Sequence, residues 1–259
     1  MALLKSGLAP NSLQEAGADM KSWRLLPVGL FRLLLAVIFL LIAFAAIGIA
    51  LQFGLGLTSG QTLGFISLFD LDRESNIPTW YASAQLAGAA VLLFFIARAK
   101  RISHDLWARH WFGLGSIFLL LSIEEIARIH ERMGDAISRV HKFDGFLTHS
   151  WVLIVPVILL VLYFLFWRFF RALPIRYKIL FLISAILFVG GAVGMEMVAA
   201  NIKGLHGSRD QLNYLLTSIV EEASELFGIA LFIVSLTDYI LRGNVQLDPD
   251  TQHTIDTMR

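Results

Sequence analysis

The chain has 259 residues, of which 57% are hydrophobic and 16% charged, and its mean hydropathy is +0.70. So apolar a composition at this length is typical of a protein that crosses a membrane several times, and it excludes an ordinary soluble domain. The net charge of +1 gives no reason to expect nucleic acid as a partner. Because the chain has no cysteine, disulfides, thiolate metal ligands and cysteine nucleophiles are also excluded.

The chain divides into a lead, one membrane domain and a tail. Residues 1–27 contain no apolar stretch followed by a small-residue cleavage site, so they are interpreted as a cytoplasmic or interfacial lead. Residues 28–241 hold six stretches of the length that crosses a bilayer as a helix, which predicts an all-α domain built as a six-helix bundle. Residues 242–259 are interpreted as a cytoplasmic tail. The predicted spans are Val28–Gln52, Trp80–Ile96, Trp111–Ile129, Trp151–Trp167, Ile179–Ile202 and Tyr214–Leu236.

The third span has to include charged residues. Only 13 residues, Trp111–Ile123, are uncharged, and they form about 20 Å of helix against a hydrocarbon core of about 30 Å. The helix is therefore predicted to continue through Glu124 and Glu125 to Ile129, inside the membrane.

Basic residues predict the orientation of the bundle. With six spans, 14 of the 21 lysines and arginines fall on the side of the two termini and 7 on the other. Because cytoplasmic loops carry the excess of Lys and Arg, both termini are predicted to be cytoplasmic.

Acidic residues from three predicted helices then fall at one depth, the outer third of the bilayer. At about 1.5 Å per residue, Glu124 lies ~22 Å above Arg109 and Glu196 ~27 Å above Lys178. The acids of the sixth span begin ~10 Å below the outer edge by the same rise. The candidate residues, taken together, are Glu124, Glu125, Glu131, Glu196, Glu221, Glu222 and Glu225.

These seven carboxylates outnumber the basic groups of the same zone, which are two arginines and His130. Four acids remain even if every basic group is paired, and each ionised, unpaired acid at membrane depth costs on the order of 2.5 kcal/mol or more. The surplus must be solvated, protonated or bound to cations. A plainer interpretation is that Glu124–Arg128 and Glu125–Arg132 are interfacial ion pairs.

Histidines and glycines add weaker signals. In an ideal helix His130 points about a third of a turn away from Glu124, so it joins this group only if the helix end is loosened. The outer histidines, His141, His149 and His206, could supply nitrogen ligands but are interpreted as solvated loop residues. Gly190 and Gly194 form a GxxxG pattern, which predicts close approach of a neighbouring helix.

The acidic pair Glu124-Glu125, followed after four residues by His130-Glu131, resembles a motif of uncharacterised bacterial multispan proteins. The later Glu221-Glu222…Glu225 pattern, followed by Gly228, is similar to a second feature of some of these proteins. The resemblance implies a bacterial inner-membrane protein and no established activity.

The leading prediction is a divalent-metal site between helices three, five and six, open to the periplasm. The predicted metal ligands are Glu124, Glu131, Glu196, Glu221, Glu222, Glu225 and His130, and the predicted catalytic residues are Glu225 and Glu131. Oxygen-rich ligation favours Fe, Mn, Mg or Ca, although the Glu-x-x-His pairs of di-iron bundles are missing. At this depth the substrate is expected to be a lipid or a lipid-linked sugar, acted on by a hydrolase or oxygenase.

Two alternatives stay open. The surplus acids could carry protons or cations in a transporter or relay, or they could serve assembly in a larger membrane complex. A conduit would need polar residues on the cytoplasmic side, where Gln85, Ser184 and Asp238 are the main candidates, so a one-sided site is favoured. Membrane lipids are expected partners, and an oligomer or complex is compatible with the sequence.

Overall fold

A computed structural model describes residues 10–244 apart from 74, 142 and 207–211, and the side chains of residues 27–202 and 212–242 within that range. In this described part all regular secondary structure is helical. The α-helices are α1 (Pro10–Ile49), α2 (Phe65–Leu68), α3 (Ile77–Ile102), α4 (Ala108–Ala127), α5 (Ile129–Val140), α6 (Val155–Ala172), α7 (Ile175–Val189), α8 (Glu196–His206) and α9 (Leu212–Tyr239). Turns of π-helix follow α1, α7 and α9 at Ala50–Gly54, Gly190–Met195 and Ile240–Asn244, and short 3₁₀ turns lie at Gly145–Leu147 and Ser150–Leu153.

Five segments of the described chain are long and apolar enough to cross a membrane. They are Pro27–Gly54, Ile77–Ile102, Ala108–Ala127, Ser150–Ala172 and Ile175–Ile202. Many large apolar side chains on these segments point away from the bundle; Leu33 is 62% exposed and Phe164 70%. A surface of this kind is stable only against an apolar surround, which is the arrangement of a membrane protein.

These five segments correspond to the first five predicted spans, and the predicted sixth corresponds to α9. The bounds differ most at α1, which begins at Pro10 within the predicted lead, and at the end of α3, which extends to Ile102 and not only to Ile96, whereas α4 ends at Ala127, close to the predicted Ile129. At 20 residues, α4 is about 30 Å long and needs no extension to match a bilayer core.

The central helix of the bundle is α9, which packs against α1, α3, α7 and α8. The C-terminal half of α9 contributes Ile229, Phe232, Ile233 and Leu236 to the largest buried apolar core. There they join Trp111 of α4 and residues of α3, α6 and α7. Because these side chains are shielded on every side, this half of α9 is anchored firmly. The N-terminal half of α9 carries Glu221, Glu222 and Glu225.

Two glycines allow α9 to approach its neighbours closely, and they are not the predicted pair. A Cβ built on Gly191 would lie 2.9 Å from the Glu221 carbonyl oxygen, and one on Gly228 would lie 2.8 Å from the Phe188 nitrogen. A Cβ on Gly190 or Gly194 would meet no atom within 4 Å. The GxxxG prediction was therefore wrong in its residues, because the π-helical turn at 190–195 presents Gly191 to α9.

Polar bonds lie at the open end of the α3–α4 hairpin, where α3 begins and α4 ends. The Asn76 side chain caps α3 by accepting from the Thr79 N–H at 3.1 Å. At the level where α4 carries its acids, the Ser83 and Ser122 hydroxyls each donate to the other residue's carbonyl, at 2.8 and 2.9 Å. The bonds between Ser83 and Ser122 hold the C-terminal end of α4 in a defined position beside α3.

Candidate functional site

The end of α4 folds back on itself and brings a histidine to Glu124. Arg128 adopts a left-handed conformation with φ 55°, which ends α4 and starts α5 in a new direction. The His130 ring Nδ1 then lies 2.6 Å from Glu124 Oε1, and the His130 backbone N–H donates to the same oxygen at 3.0 Å. This is the loosened helix end that the sequence required for His130 to reach Glu124.

Glu131 has a different partner and belongs to α5. Its carboxylate is hydrogen-bonded to the Arg128 guanidinium, and both side chains are more than a third exposed. The break at Arg128 separates Glu131 from the helix that carries Glu124, so the two residues lie on different helices.

Glu196 is also bound by a histidine. It lies at the first position of α8, and its carboxylate contacts Nδ1 of His149, which precedes the 3₁₀ turn at Ser150–Leu153. The side chains are 24% and 17% exposed for His149 and Glu196, respectively. The interpretation of His149 as a solvated loop residue was wrong, because the loop before α6 turns back towards α8.

Four carboxyls on α4 and α9 face one another. Glu225 lies within electrostatic range of Glu222, Glu125 and Glu221, and Glu222 lies within electrostatic range of Glu125. All four side chains are half-buried. We refer to Glu125, Glu221, Glu222 and Glu225 as the four facing carboxylates.

Asp72 extends this acidic region from the connection between α2 and α3. Its Oδ1 accepts hydrogen bonds from the Tyr214 hydroxyl at 2.7 Å and from the Ser218 hydroxyl at 3.1 Å. It also repels Glu221 and Glu222 electrostatically. Asp72 was not predicted from the sequence as part of the site, although its loop lies on the same predicted side of the membrane as the other acids.

In the structure as described, no basic side chain forms an ion pair with the facing carboxylates, although His130 lies within electrostatic range of Glu125. Every described ion pair lies elsewhere, and no lysine, arginine or histidine pairs with Glu125, Glu221, Glu222 or Glu225 within the described ranges. In the same part of the chain, no group of three or more His, Asp and Glu residues is arranged to hold a metal ion. The acids are thus gathered without a preformed metal cage.

The predicted site residues separate into two sets. The structure brings Glu124, Glu221, Glu222 and Glu225 together, and it places His130 on Glu124. It gives Glu131 and Glu196 partners of their own. The side chain of His206 lies outside the described residues.

A polar network closes the opposite end of the bundle. Asp238, near the end of α9, is 8% exposed and accepts from Arg176 at 3.1 Å, from Arg242 at 2.8 Å and from the Tyr177 hydroxyl at 3.2 Å. About 20 Å of helix separates Glu225 from Asp238, and the apolar core fills this interval.

A family model matches residues 29–239, which include every helix that carries these acids. The chain belongs to the family described as Domain of unknown function (DUF8692). The DUF8692 match covers both the α4 acids and the α9 acids, so both lie within the family domain. No curated protein and no solved structure matches the chain.

Proposed function

We propose that this DUF8692 chain is a bacterial inner-membrane protein that crosses the membrane six times, has both termini in the cytoplasm and binds a cation at a periplasm-facing carboxylate site. The observation that carries the proposal is the meeting of Glu125, Glu221, Glu222 and Glu225 without a basic partner in the described chain. Ionised carboxylates at such a position cost several kcal/mol unless a cation neutralises them. The bacterial setting rests on the Glu124-Glu125…His130-Glu131 motif.

The apolar core beneath the acids favours a one-sided site over a conduit. Between Glu225 and Asp238 the central helix packs against the apolar side chains of Leu93, Trp111 and Phe181. The buried hydroxyls of this interval, Ser184 and Ser235, donate to carbonyls of their own helices. Gln85 is buried nearby on α3, but its amide donates to the Tyr81 hydroxyl and not to a chain of polar groups. A one-sided site suits an enzyme or a sensor better than a transporter.

The first candidate cation is a divalent metal, namely Fe, Mn, Mg or Ca, because the available donors are carboxylate oxygens. The substrate proposed for such a site is a lipid or a lipid-linked molecule that reaches it from the outer leaflet. Of the two predicted catalytic residues, Glu225 belongs to the facing carboxylates and is retained as the proposed acid–base group. Glu131, held by Arg128, has no comparable support.

The second candidate cation is the proton. It is favoured by one observation, the lack of any three-residue metal-ligand group in the described chain. Protons neutralise carboxylates singly and need no convergence of ligands on one point. In this case the site would act as a proton store or relay serving the outer side of the membrane or a partner in a larger complex.

Elemental analysis by mass spectrometry separates the two candidates. Protein purified without chelator is expected to carry about one or two equivalents of a divalent metal, since four surplus carboxylates match two divalent ions. EDTA should then lower its melting temperature, because a ligand of the folded state stabilises that state by mass action. The Glu222→Gln, Glu225→Gln double variant should lose the metal, whereas Asp144→Asn, on the loop before α6, should keep it. If the purified protein is metal-free and EDTA does not change its melting temperature, the proton is the only candidate that remains.

A further inference from the structure

The opposite end of the bundle contains a cavity that the carboxylate site does not involve. It lies where the ends of α3, α6 and α9 meet the start of α4, and it encloses about 540 Å³ of space, part of it open to solvent. Its walls are aromatic and apolar, with one ammonium and one carboxylate. The lining includes Lys100, Asp105, Trp107, Phe169, Ala172 and Tyr239.

The carboxylate of this cavity is already fully engaged. Asp105 accepts from the Trp107 backbone N–H at 2.8 Å through one oxygen and from Lys100 Nζ at 2.9 Å through the other. Burial alone would raise the pKa of Asp105, but these two donors outweigh it and lower the pKa below its ordinary value. Asp105 is therefore a fixed, ionised part of the wall and does not compete for a cationic ligand.

The Lys100 ammonium can donate one more hydrogen bond. It donates to Asp105 and to the Tyr239 hydroxyl, and its side chain is 18% exposed. An ammonium has three N–H donors, so one donor is left for a ligand in the cavity. The side chain cannot easily turn away, because the aromatic walls and Asp105 hold it in place.

The surroundings of the cavity are strongly basic. The connections that frame it, residues 98–109 and 168–178, contain eight lysines and arginines and a single acidic residue, Asp105. Basic pockets between transmembrane helices near the membrane surface are suited to anionic lipid headgroups. The aromatic rings suit the interfacial level at which a headgroup joins its acyl chains.

From this geometry we propose that the cavity binds the phosphate of an anionic phospholipid, with Lys100 as its anchor and the aromatic walls around the glycerol region. The charge of the framing loops matches a headgroup with net negative charge, and the apolar lining matches its lipid part. This site is independent of the carboxylate site and of the cation that the latter binds.

Thermal unfolding of the delipidated full chain in detergent tests the proposal. Phosphatidylglycerol is expected to raise the melting temperature, and phosphatidylcholine with the same acyl chains is expected to have little effect. Lys100→Met should weaken the apparent affinity for phosphatidylglycerol roughly tenfold or more, because it removes a charge-assisted hydrogen bond. Ala172→Trp should do the same by filling the cavity while it leaves the Lys100–Asp105 pair in place.

Lys178→Met is the matched control, since it removes the same charge from the same end of the bundle without lining the cavity. It should keep the wild-type response. Equal stabilisation by the two lipids would overturn the proposal, as would a wild-type response in either Lys100→Met or Ala172→Trp. If Lys100→Met does not fold, Ala172→Trp decides alone. Protection by glycerol 3-phosphate equal to that by phosphatidylglycerol would assign the cavity to a soluble anion and contradict the lipid assignment.

Discussion

Single carboxylates in this protein differ in what surrounds them, and their effects on stability should differ accordingly. Glu124 accepts two hydrogen bonds from His130, and Glu196 is bound by His149. Glu222 and Glu225 meet other carboxyls. Removing the charge of Glu124 or Glu196 breaks a hydrogen bond to a histidine, whereas removing the charge of Glu222 or Glu225 relieves repulsion between carboxylates.

We predict that Glu124→Gln lowers the free energy of unfolding by about 1.5–3 kcal/mol, the range for a hydrogen bond to a charged group. In metal-depleted protein Glu225→Gln, the same substitution at a nearby position, should leave the free energy of unfolding unchanged or higher, because it removes surplus charge. Denaturation of the purified, metal-depleted variants in detergent measures both. A similar loss for both variants in the absence of metal would mean that Glu225 is paired with a basic side chain, and the site would lose its basis.

The sequence allowed part of this residue pattern to be predicted. Helical rise placed the acids of α4 and α9 at one depth, because rise depends only on position in the chain. It could not place His149 or Asp72, since both lie in loops whose course is decided by packing. The pairing of Glu131 with Arg128 was not predicted, because it depends on the left-handed conformation of Arg128. This conformation is rare for arginine, and no residue pattern indicated it.

At the level of elements, the contact between α7, its π-helical turn and α9 positions the facing carboxylates. Gly191 lets the turn approach the backbone of Glu221 and the side chain of Glu225. The π-helical turn shifts the register of the residues around it, so that Gly191, and not Gly190 or Gly194, faces α9. A GxxxG pattern assumes a regular helix, which explains why it selected the wrong glycines.

Alanine substitutions should separate these glycines. Gly191→Ala places a methyl group 2.9 Å from the Glu221 carbonyl oxygen and should destabilise the fold by roughly 1–3 kcal/mol, as overpacked contacts do. Gly194→Ala adds the same methyl group to open space and should be neutral or slightly stabilising, because alanine favours helix. Melting temperatures of the two variants test this, and equal values would show that α9 does not approach Gly191 closely.

At the scale of the whole molecule, the bundle has two chemically distinct ends separated by an apolar core. Acids of α4 and α9 gather at one end, and basic connections with the Asp238 network occupy the other. The asymmetry follows from the order of charges along six hydrophobic stretches, which is why the sequence alone predicted it. The side of the membrane that each end faces depends on the positive-inside rule.

Single-cysteine labelling tests this orientation in a chain that has no native cysteine. With an impermeant thiol reagent, cysteines at His104 and Arg171 should label only from the cytoplasmic side, and one at His141 only from the periplasmic side. All three positions are exposed or lie at helix ends, so the substitutions should not disturb packing. Labelling of position 141 from the cytoplasmic side would show that the topology is the inverse of the predicted one and that the acids lie at the inner surface.

Infrared difference spectroscopy can detect whether a cation neutralises the facing carboxylates. Metal-depleted wild-type protein is predicted to show the carbonyl stretch of protonated carboxylic acids at neutral pH, a band that weakens in Glu225→Gln and in wild-type protein loaded with a divalent metal. Glu124→Gln should retain the band, because Glu124 is already bound to His130. If metal-depleted protein shows only ionised carboxylates and binds no metal, the four acids are stably charged without a cation, which contradicts the proposed cation site.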